Sequence, residues 1–350
     1  MKLYVPLKIH PKRQQLFPLL KPFEKGAGFT DAKRIALYGI SEKEVSFVTT
    51  LEAADYVVLP MSWNFYQAQH KMAEVEKVIL NAQRADKKVL SFMTGDFGVS
   101  IPDYENIIVF RNSGHRSKLP ATHIGMPAFI PDPLPKIFKT ETLTIRPYTQ
   151  TPTVGFCGQA DRTMVTRIKE LAQTATRNLA SYIGRDRRDP QQVLSTSYLR
   201  ASLLHSLEKA PAITTNFIYR KKYRAGATTQ VARQKTTLEF YENMQQSDYV
   251  VCVRGAGNFS VRFYETLAMG RIPVFVNTDC LLPLDSRIDW KKHVVWVDYK
   301  DRDRIAEKML AFHHALSATA FEKLQHDNRT LGKDTLTLGG FFKQYLHQTF

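Results

Sequence analysis

The chain has 350 residues, 43% of them hydrophobic and 11% aromatic, with 17 Gly and 17 Pro. That is more than one compact core usually holds, so two globular domains are expected, and disorder, collagen and coiled coil are excluded. Lys and Arg outnumber Asp and Glu by 49 to 33, a formal net charge of +16, which points to an anionic partner: nucleic acid, a membrane face or a phosphorylated ligand.

Short apolar runs alternate with amphipathic segments in the first part of the chain. KLYVPL, ADYVVLP from Ala54, VLSFM from Val89 and IIVF from Ile107 read as strands, and Tyr66 to Asp86 as a helix. This is the alternation of βαβ units around a largely parallel sheet. Between Met126 and Thr153 six prolines and no helical period predict a covering loop and then a linker, so the domain boundary is placed near residue 150. The pattern then resumes with a strand at TVGFCG from Thr153, a helix from Arg162 to Tyr182, and strands AITTNFIYR from Ala212 and DYVVCV from Asp248. A helix from Ser260 to Met269, strands IPVFV from Ile272 and HVVWV from His293, and a helix from Arg302 to about Leu316 complete it. The expected fold class is α/β, with one Rossmann-like domain at 1–150 and a second at 151–350. The C-terminal GGFFKQYLHQTF is expected to cross back to the first domain.

The cysteines Cys157, Cys252 and Cys280 are odd in number and widely spaced, which argues against a disulfide framework or zinc cluster and for a reducing compartment. The opening MKLYVPLKIHPKRQQLFPLL scatters charge through its apolar residues, and no stretch reaches the ~18 apolar residues of a spanning helix. A cytoplasmic chain able to touch a membrane surface is expected.

The segment richest in chemistry is VVCVRGAGNFSVRFYETLAMGRIPVFV, Val250 to Val276. It reads as a buried strand, a loop with Gly255, Gly257 and Asn258, a helix opening at Ser260, and another strand. Such an elbow collects free backbone N–H groups and the positive end of a helix, which suits phosphate. Ser260 is a natural N-cap, and Arg254 and Arg262 flank the loop as a cationic cradle that needs no metal. The loop is neither Walker A nor G-x-G-x-x-G, and a tight structural turn is the alternative reading. Arg262 and Glu265 are three apart, which fits either a helical ion pair or a division of labour with Arg262 on phosphate and Glu265 on sugar hydroxyls.

From Ser247 to Val297 the sequence resembles the C-terminal half of the exostosin-like glycosyltransferases (family 47). That pattern runs from a serine and an apolar strand to a glycine loop, then S-x-R-x-x-E, G-x-I-P-V, L-P and a Trp. Here these fall on Ser247, Arg254 to Gly257, Ser260, Arg262, Glu265, Gly270, Ile272, Pro273, Val274, Leu282, Pro283 and Trp290. TVGFCGQADRTMVTRIKEL and EAADYVVLPMSWNFY are weaker echoes. Arg254 stands where the family has Pro, and Thr266 where it has Ala.

The resemblance implies the GT-B architecture, two facing Rossmann-like domains. It further implies a nucleotide-sugar donor, UDP-linked in most members, held by the second domain, a glycan or lipid-linked acceptor on the first, and inversion. Arg162, Arg254, Ser260 and Arg262 would then stabilise the departing diphosphate without a metal or other cofactor. Many retaining GT-B enzymes carry two glutamates eight positions apart near this helix, whereas eight before Glu265 stands Gly257. A general base belongs on a loop at the carboxyl end of a first-domain strand, and Asp96 in TGDFG and His115 in RNSGHRS are the candidates.

Asp301 and Asp303 spell D-x-D but open a helix, where capping explains them. The adjacent His313 and His314 diverge by ~100° and read as surface and edge residues. Two alternatives compete: a nucleotide-sugar 2-epimerase of the same architecture, and a nucleic-acid-binding protein using the basic runs RDRRD (Arg185 to Asp189) and RKKYR (Arg220 to Arg224), otherwise solvated loops.

Overall fold

The structure, a computed structural model, describes residues 1–346 apart from Lys12 and Ala27. The end of the C-terminal segment, residues 347–350, lies outside the described residues. Two parallel sheets organise the chain. The first holds β1 (Lys2–Tyr4), β2 (Ser46–Val48), β3 (Tyr56–Val58), β4 (Lys88–Phe92), β5 (Ile107–Arg111) and β6 (His123–Gly125), in the order β2-β1-β3-β4-β5-β6. The second holds β7 (Thr153–Gln159), β8 (Thr214–Arg220), β9 (Tyr249–Cys252), β10 (Ile272–Asn277) and β11 (Val295–Asp298), in the order β11-β10-β9-β7-β8. Every strand pair is parallel. Both sheets are doubly wound, with the chain reversing its direction of growth beside the first strand of each domain, and ligands of such sheets collect at the carboxyl ends there. Loops at the carboxyl ends of the two sheets meet each other, as the GT-B expectation requires.

The helices of the first domain are α1 (Asp31–Tyr38), α2 (Trp63–Ala68) and α3 (Met72–Arg84). The single helix expected from Tyr66 to Asp86 is therefore two, broken where His70 takes a left-handed φ of 55°. The second domain carries α4 (Met164–Tyr182), α5 (Thr196–Glu208), α6 (Gln230–Gln245), α7 (Val261–Ala268), α8 (Ile305–His314) and α9 (Ala318–Thr330). The helix expected from Arg302 begins as a 3-10 turn, Tyr299–Arg304, in which Asp301 pairs with Lys308 at 3.2 Å rather than capping.

Packing follows the period-2 rule. Tyr249, Val251 and Val253 face one core of the second sheet, while Val250 and Cys252 face the other. With both faces covered, β9 has to be continuously apolar. Ser247, just before it, donates to Asn243 O at 2.7 Å, and a Cβ on Gly155 of β7 would lie 2.2 Å from its Oγ. Trp290 packs 5.2 Å from Phe263 of α7 and donates to Pro283 O at 3.2 Å.

The segment between β6 and β7 lies along the second domain. Asp132 binds Arg329 of α9 through both carboxylate oxygens at 2.7 Å, and Arg146 binds Asp248 at 2.5 Å. Its Thr149 carbonyl accepts from His313, whose other nitrogen meets the Tyr249 hydroxyl at 2.9 Å. His313 is thus fully buried, which corrects its reading as a surface residue: the strap covers the helix edge it occupies. At the C-terminus α10 (Leu338–Leu346) packs Phe341, Phe342 and Leu346 into the first-domain core, with Phe342 5.2 Å from Phe110 of β5.

Candidate active site at the interdomain seam

At the switch point of the second sheet, β7 and β9 are neighbours and their carboxyl ends empty side by side. Arg262, in the first turn of α7, lies 4.4 Å from the Phe156 ring centroid and donates to Cys157 O at 3.0 Å. Gly158 keeps the space open, since a Cβ there would sit 2.6 Å from the Arg262 guanidinium. Arg200 of α5 reaches the same strand end and donates to Gln159 O at 2.7 Å. Burial, with Arg262 beside it, pushes Arg200 down to about 10. Arg254, 2% exposed, donates to Gln191 Oε1 and to Ala256 O, each at 3.1 Å.

Among the described residues none of these three arginines forms an ion pair. Each has a buried Nε without a partner, and Arg254 has an unpartnered Nη1 as well. Unneutralised buried guanidinium groups are costly unless an anion completes them. Glu265 does not supply one: no helical ion pair forms with Arg262, and the carboxyl accepts from the Tyr241 hydroxyl at 3.0 Å. Burial pushes Glu265 up from the ordinary carboxylate range, with Tyr241 and Arg262 pulling the other way.

The elbow itself departs from the sequence reading in two respects. Ser260 occupies the N-cap position of α7 but makes no side-chain capping bond. Two amides assigned to phosphate are already engaged, Gly255 N–H by Phe259 O at 3.0 Å and Asn258 N–H by Ser113 Oγ at 2.8 Å. Asn258, fully buried, also donates to Gly114 O, Thr278 O and Asp279 O, each at 2.9 Å. The elbow is therefore shut, partly by its own Phe259 carbonyl and partly by Ser113 and Gly114 of the first domain.

His115 is part of that closure. Its Nδ1 is 3.4 Å from Asn258 Nδ2 and 3.8 Å from the Asp279 carboxylate, while its Nε2 is buried without a partner. Burial, then the Arg254 charge, holds the imidazole below its ordinary value against the pull of Asp279. The ring is thus neutral at pH 7. Asp96 also arrives, but by its backbone: its carbonyl abuts Gly257, where a Cβ would come within 2.2 Å, and the residue is exposed. Arg162 is not brought to the cluster. It is exposed ahead of α4, and its charge is felt by Tyr219 of β8.

Several seam residues were not singled out in the sequence. Arg111, ending β5, is 2% exposed and binds Asp189 of the second domain at 2.7 Å. Phe97 of TGDFG lies 3.9 Å beneath the Arg177 guanidinium of α4. Gly125 pairs with Pro283, where a Cβ would meet Leu282 O at 2.4 Å. Residue type carried no signal for these, because each acts through a partner more than 70 positions away.

RDRRD touches the first domain through its backbone, Arg187 O accepting from Ser100 N–H at 3.0 Å, while the side chains of Arg185, Arg187 and Arg188 stay exposed as in a solvated loop and Arg188 pairs with Asp186 at 2.5 Å. In RKKYR, Arg220 is buried on Glu239.

Residues 138–310 match the model of the Exostosin GT47 domain. Most of the second domain is thus similar to the exostosin GT47 domain. The match encloses the Ser247 to Val297 pattern and the arginine cluster. Exostosin-1 of Drosophila melanogaster is 35% identical over 66 residues, 19% of this chain and 9% of that protein. A probable glucuronosyltransferase of Oryza sativa subsp. japonica is 36% identical over 66 residues, 19% of this chain and 15% of its own. A probable beta-1,4-xylosyltransferase of Arabidopsis thaliana is 37% identical over 62 residues, 18% and 15%. The matches thus span under a sixth of the length of these relatives. The solved structure titled Crystal Structure of TarM covers 75% of this chain and 50% of its own at 10% identity and a TM-score of 0.34; the fold assignment rests on the two sheets themselves.

Proposed function

We propose that this chain is a glycosyltransferase that moves a sugar from a nucleotide-sugar, UDP-linked, to a glycan or lipid-linked acceptor, with inversion and without a metal. The observation that carries the reading is that the buried Arg254 and the half-buried Arg262 and Arg200, at the carboxyl ends of β7 and β9, have no ion pair among the described residues and each keep a buried Nε without a partner, inside the domain that matches the GT47 model. In this reading the donor diphosphate completes their missing hydrogen bonds. Arg262 and Arg254 stabilise the leaving diphosphate as its charge develops. Ser260, free of capping duty, donates to phosphate, and the partly buried Glu265 accepts from sugar hydroxyls on the second-domain side.

Attack from the first domain needs a base at the seam. His115 fits better than Asp96, since its neutral imidazole points an unpartnered Nε2 into the closed junction with Asp279 behind Nδ1. The proton leaves the acceptor hydroxyl for Nε2, the hydroxyl oxygen bonds to the anomeric carbon, and the bond to the diphosphate breaks on the opposite face. Because Gly257 abuts Asp96, donor entry requires the lobes to part and transfer follows their return.

A thermal-shift comparison of UDP, GDP, ADP and CMP tests the donor. UDP at about a hundredfold above its Kd stabilises the folded chain by about 2.7 kcal/mol, and Arg254→Ala removes the shift. No shift with any nucleotide would overturn the reading. For the base, His115→Gln is expected to lower kcat by about 10²–10⁴-fold with nucleotide affinity intact, and Asp96→Asn to leave kcat near wild type. The reverse ranking would move the role to Asp96.

A further inference from the structure

Helix α4 is amphipathic the wrong way round for a core helix. Met164, Val165, Ile168, Leu179, Tyr182 and Ile183 are between 54% and 79% exposed, and at 100° per residue they fall within a single arc of about 100°. The polar side faces the protein instead. Glu170 accepts from Ser195 and Ser197 hydroxyls at 2.7 and 2.6 Å, Asn178 donates to Gln191 O at 2.6 Å, and Arg167 lies over the Tyr198 ring. Over 19 residues the uncovered stripe is roughly 28 Å long. Contiguous exposed apolar surface of that extent marks an interaction site.

The rim of the stripe says what covers it. Arg162, Lys169 and Arg185 are exposed beside it. The nearby carboxylates are all engaged: Asp161 by Thr163 and Thr166, Glu170 inward, and Asp186 by Arg188. One flank opens on a groove of about 520 Å³ lined by Lys169, Gln173, Thr176, Arg177 and the Asp186–Arg188 pair, so that Lys169 and Arg177, with its unpartnered Nε, are its uncompensated cations. A second copy related by two-fold symmetry would set this cationic rim against itself. An anionic surface with an apolar interior matches both parts.

We propose that α4 is a membrane-surface helix that lays its apolar arc into the interface of an anionic bilayer, with the cationic rim and groove on the headgroup phosphates.

Co-sedimentation of the full chain with vesicles of phosphatidylcholine, alone or mixed with phosphatidylserine, tests this. The wild type is expected to sediment with the mixed vesicles and much less with neutral ones. I168E/L179E, both exposed positions, is expected to keep the melting transition and lower partitioning on the order of tenfold or more. K169E/R185E is expected to lose the preference for the anionic vesicles. The proposal is overturned if the wild type ignores anionic vesicles, or if I168E/L179E partitions like wild type. It is overturned equally by a dimer that I168E/L179E dissociates without vesicle binding, which would assign the stripe to a second copy.

Discussion

Gly257 and Gly255 share a loop but not a constraint. A Cβ on Gly257 would sit 2.2 Å from the Asp96 carbonyl oxygen, whereas one on Gly255 would find its nearest neighbour at 4.0 Å. Neither glycine has a positive φ, so alanine is acceptable to the backbone at both and the difference is steric. Gly257→Ala is expected to cost about 1–3 kcal/mol in urea unfolding, and Gly255→Ala under about 0.5 kcal/mol. Equal losses would place the tight contact elsewhere. His123 gives the clearest pH dependence. Burial, with Arg111 beside it, pushes its pKa down to about 4, and Arg111 Nη1 faces its Nδ1 at 3.2 Å, so that nitrogen is an acceptor. The unfolded chain binds this proton near pH 6.5 and the folded chain only near pH 4. Stability at pH 7 is therefore unaffected by the group, and falls as pH drops from about 6.5 toward 4, by on the order of 1 kcal/mol per pH unit. His123→Gln is expected to flatten that slope in denaturant titrations between pH 7 and 4; an unchanged slope would show that other groups carry it. At this scale the sequence pointed to Arg254, Arg262 and His115 as candidates, because a loop between a buried strand and a helix, or just past one, identifies its own residues, and the structure places them at strand ends and the seam. It could not disclose Arg200, whose role comes from a helix packed beside the β7 end, nor keep Arg162, which the turn before α4 points to solvent.

At the scale of elements, what was legible is what has a period. Long apolar strands such as β4, β5, β9 and β10 were visible. The three-residue β2, Ser46–Val48 and mostly exposed, and β6, His123–Gly125, were not, since neither lies in an apolar run, unlike the equally short β1 and β3. Helix α5 buries Leu199, Ala201, Leu203, Leu204 and Leu207 on several sides and α6 is polar nearly all round, so neither offers the single apolar stripe that sequence periodicity detects. The reading of α4 shows the converse: a correct period fixes a helix but not which way its apolar face turns. The strap between the domains had no period at all, yet it is held by specific bonds. Arg329, with 9% of its side chain exposed, is neutralised by both oxygens of Asp132. Asp132→Ala leaves that guanidinium buried and uncompensated and is expected to cost about 3 kcal/mol or more. Asp327→Ala, which breaks the exposed pair with Lys323, is expected to cost under about 0.5 kcal/mol. Thermal unfolding of the two variants side by side checks the ranking.

For the whole molecule, the question is what holds two complete cores together. Each sheet has its own buried cluster, so the seam does not have to be stable for the domains to fold. Its contacts are of several kinds: backbone against backbone at Gly257 and Gly125, an aromatic ring under Arg177, the hydrogen bonds of Asn258 to Ser113 and Gly114, and the Arg111–Asp189 pair. Of these the pair costs most to break on one side, because Arg111 also lies against Ser113 O and His123 and cannot swing to water while the lobes stay shut. Asp189→Ala therefore leaves a buried cation whose cheapest relief is to separate the domains and hydrate it. The expected outcome is amide exchange faster on the order of tenfold or more in residues 255–260 and 111–117, with β7 and β9 still protected. Nucleotide association is expected to quicken as well, since the open form is the one that admits it. Exchange that stays slow at the elbow would mean that Asn258, with its bonds to Ser113 and Gly114, suffices to hold the lobes, and Asn258→Ala would then be the variant that opens them.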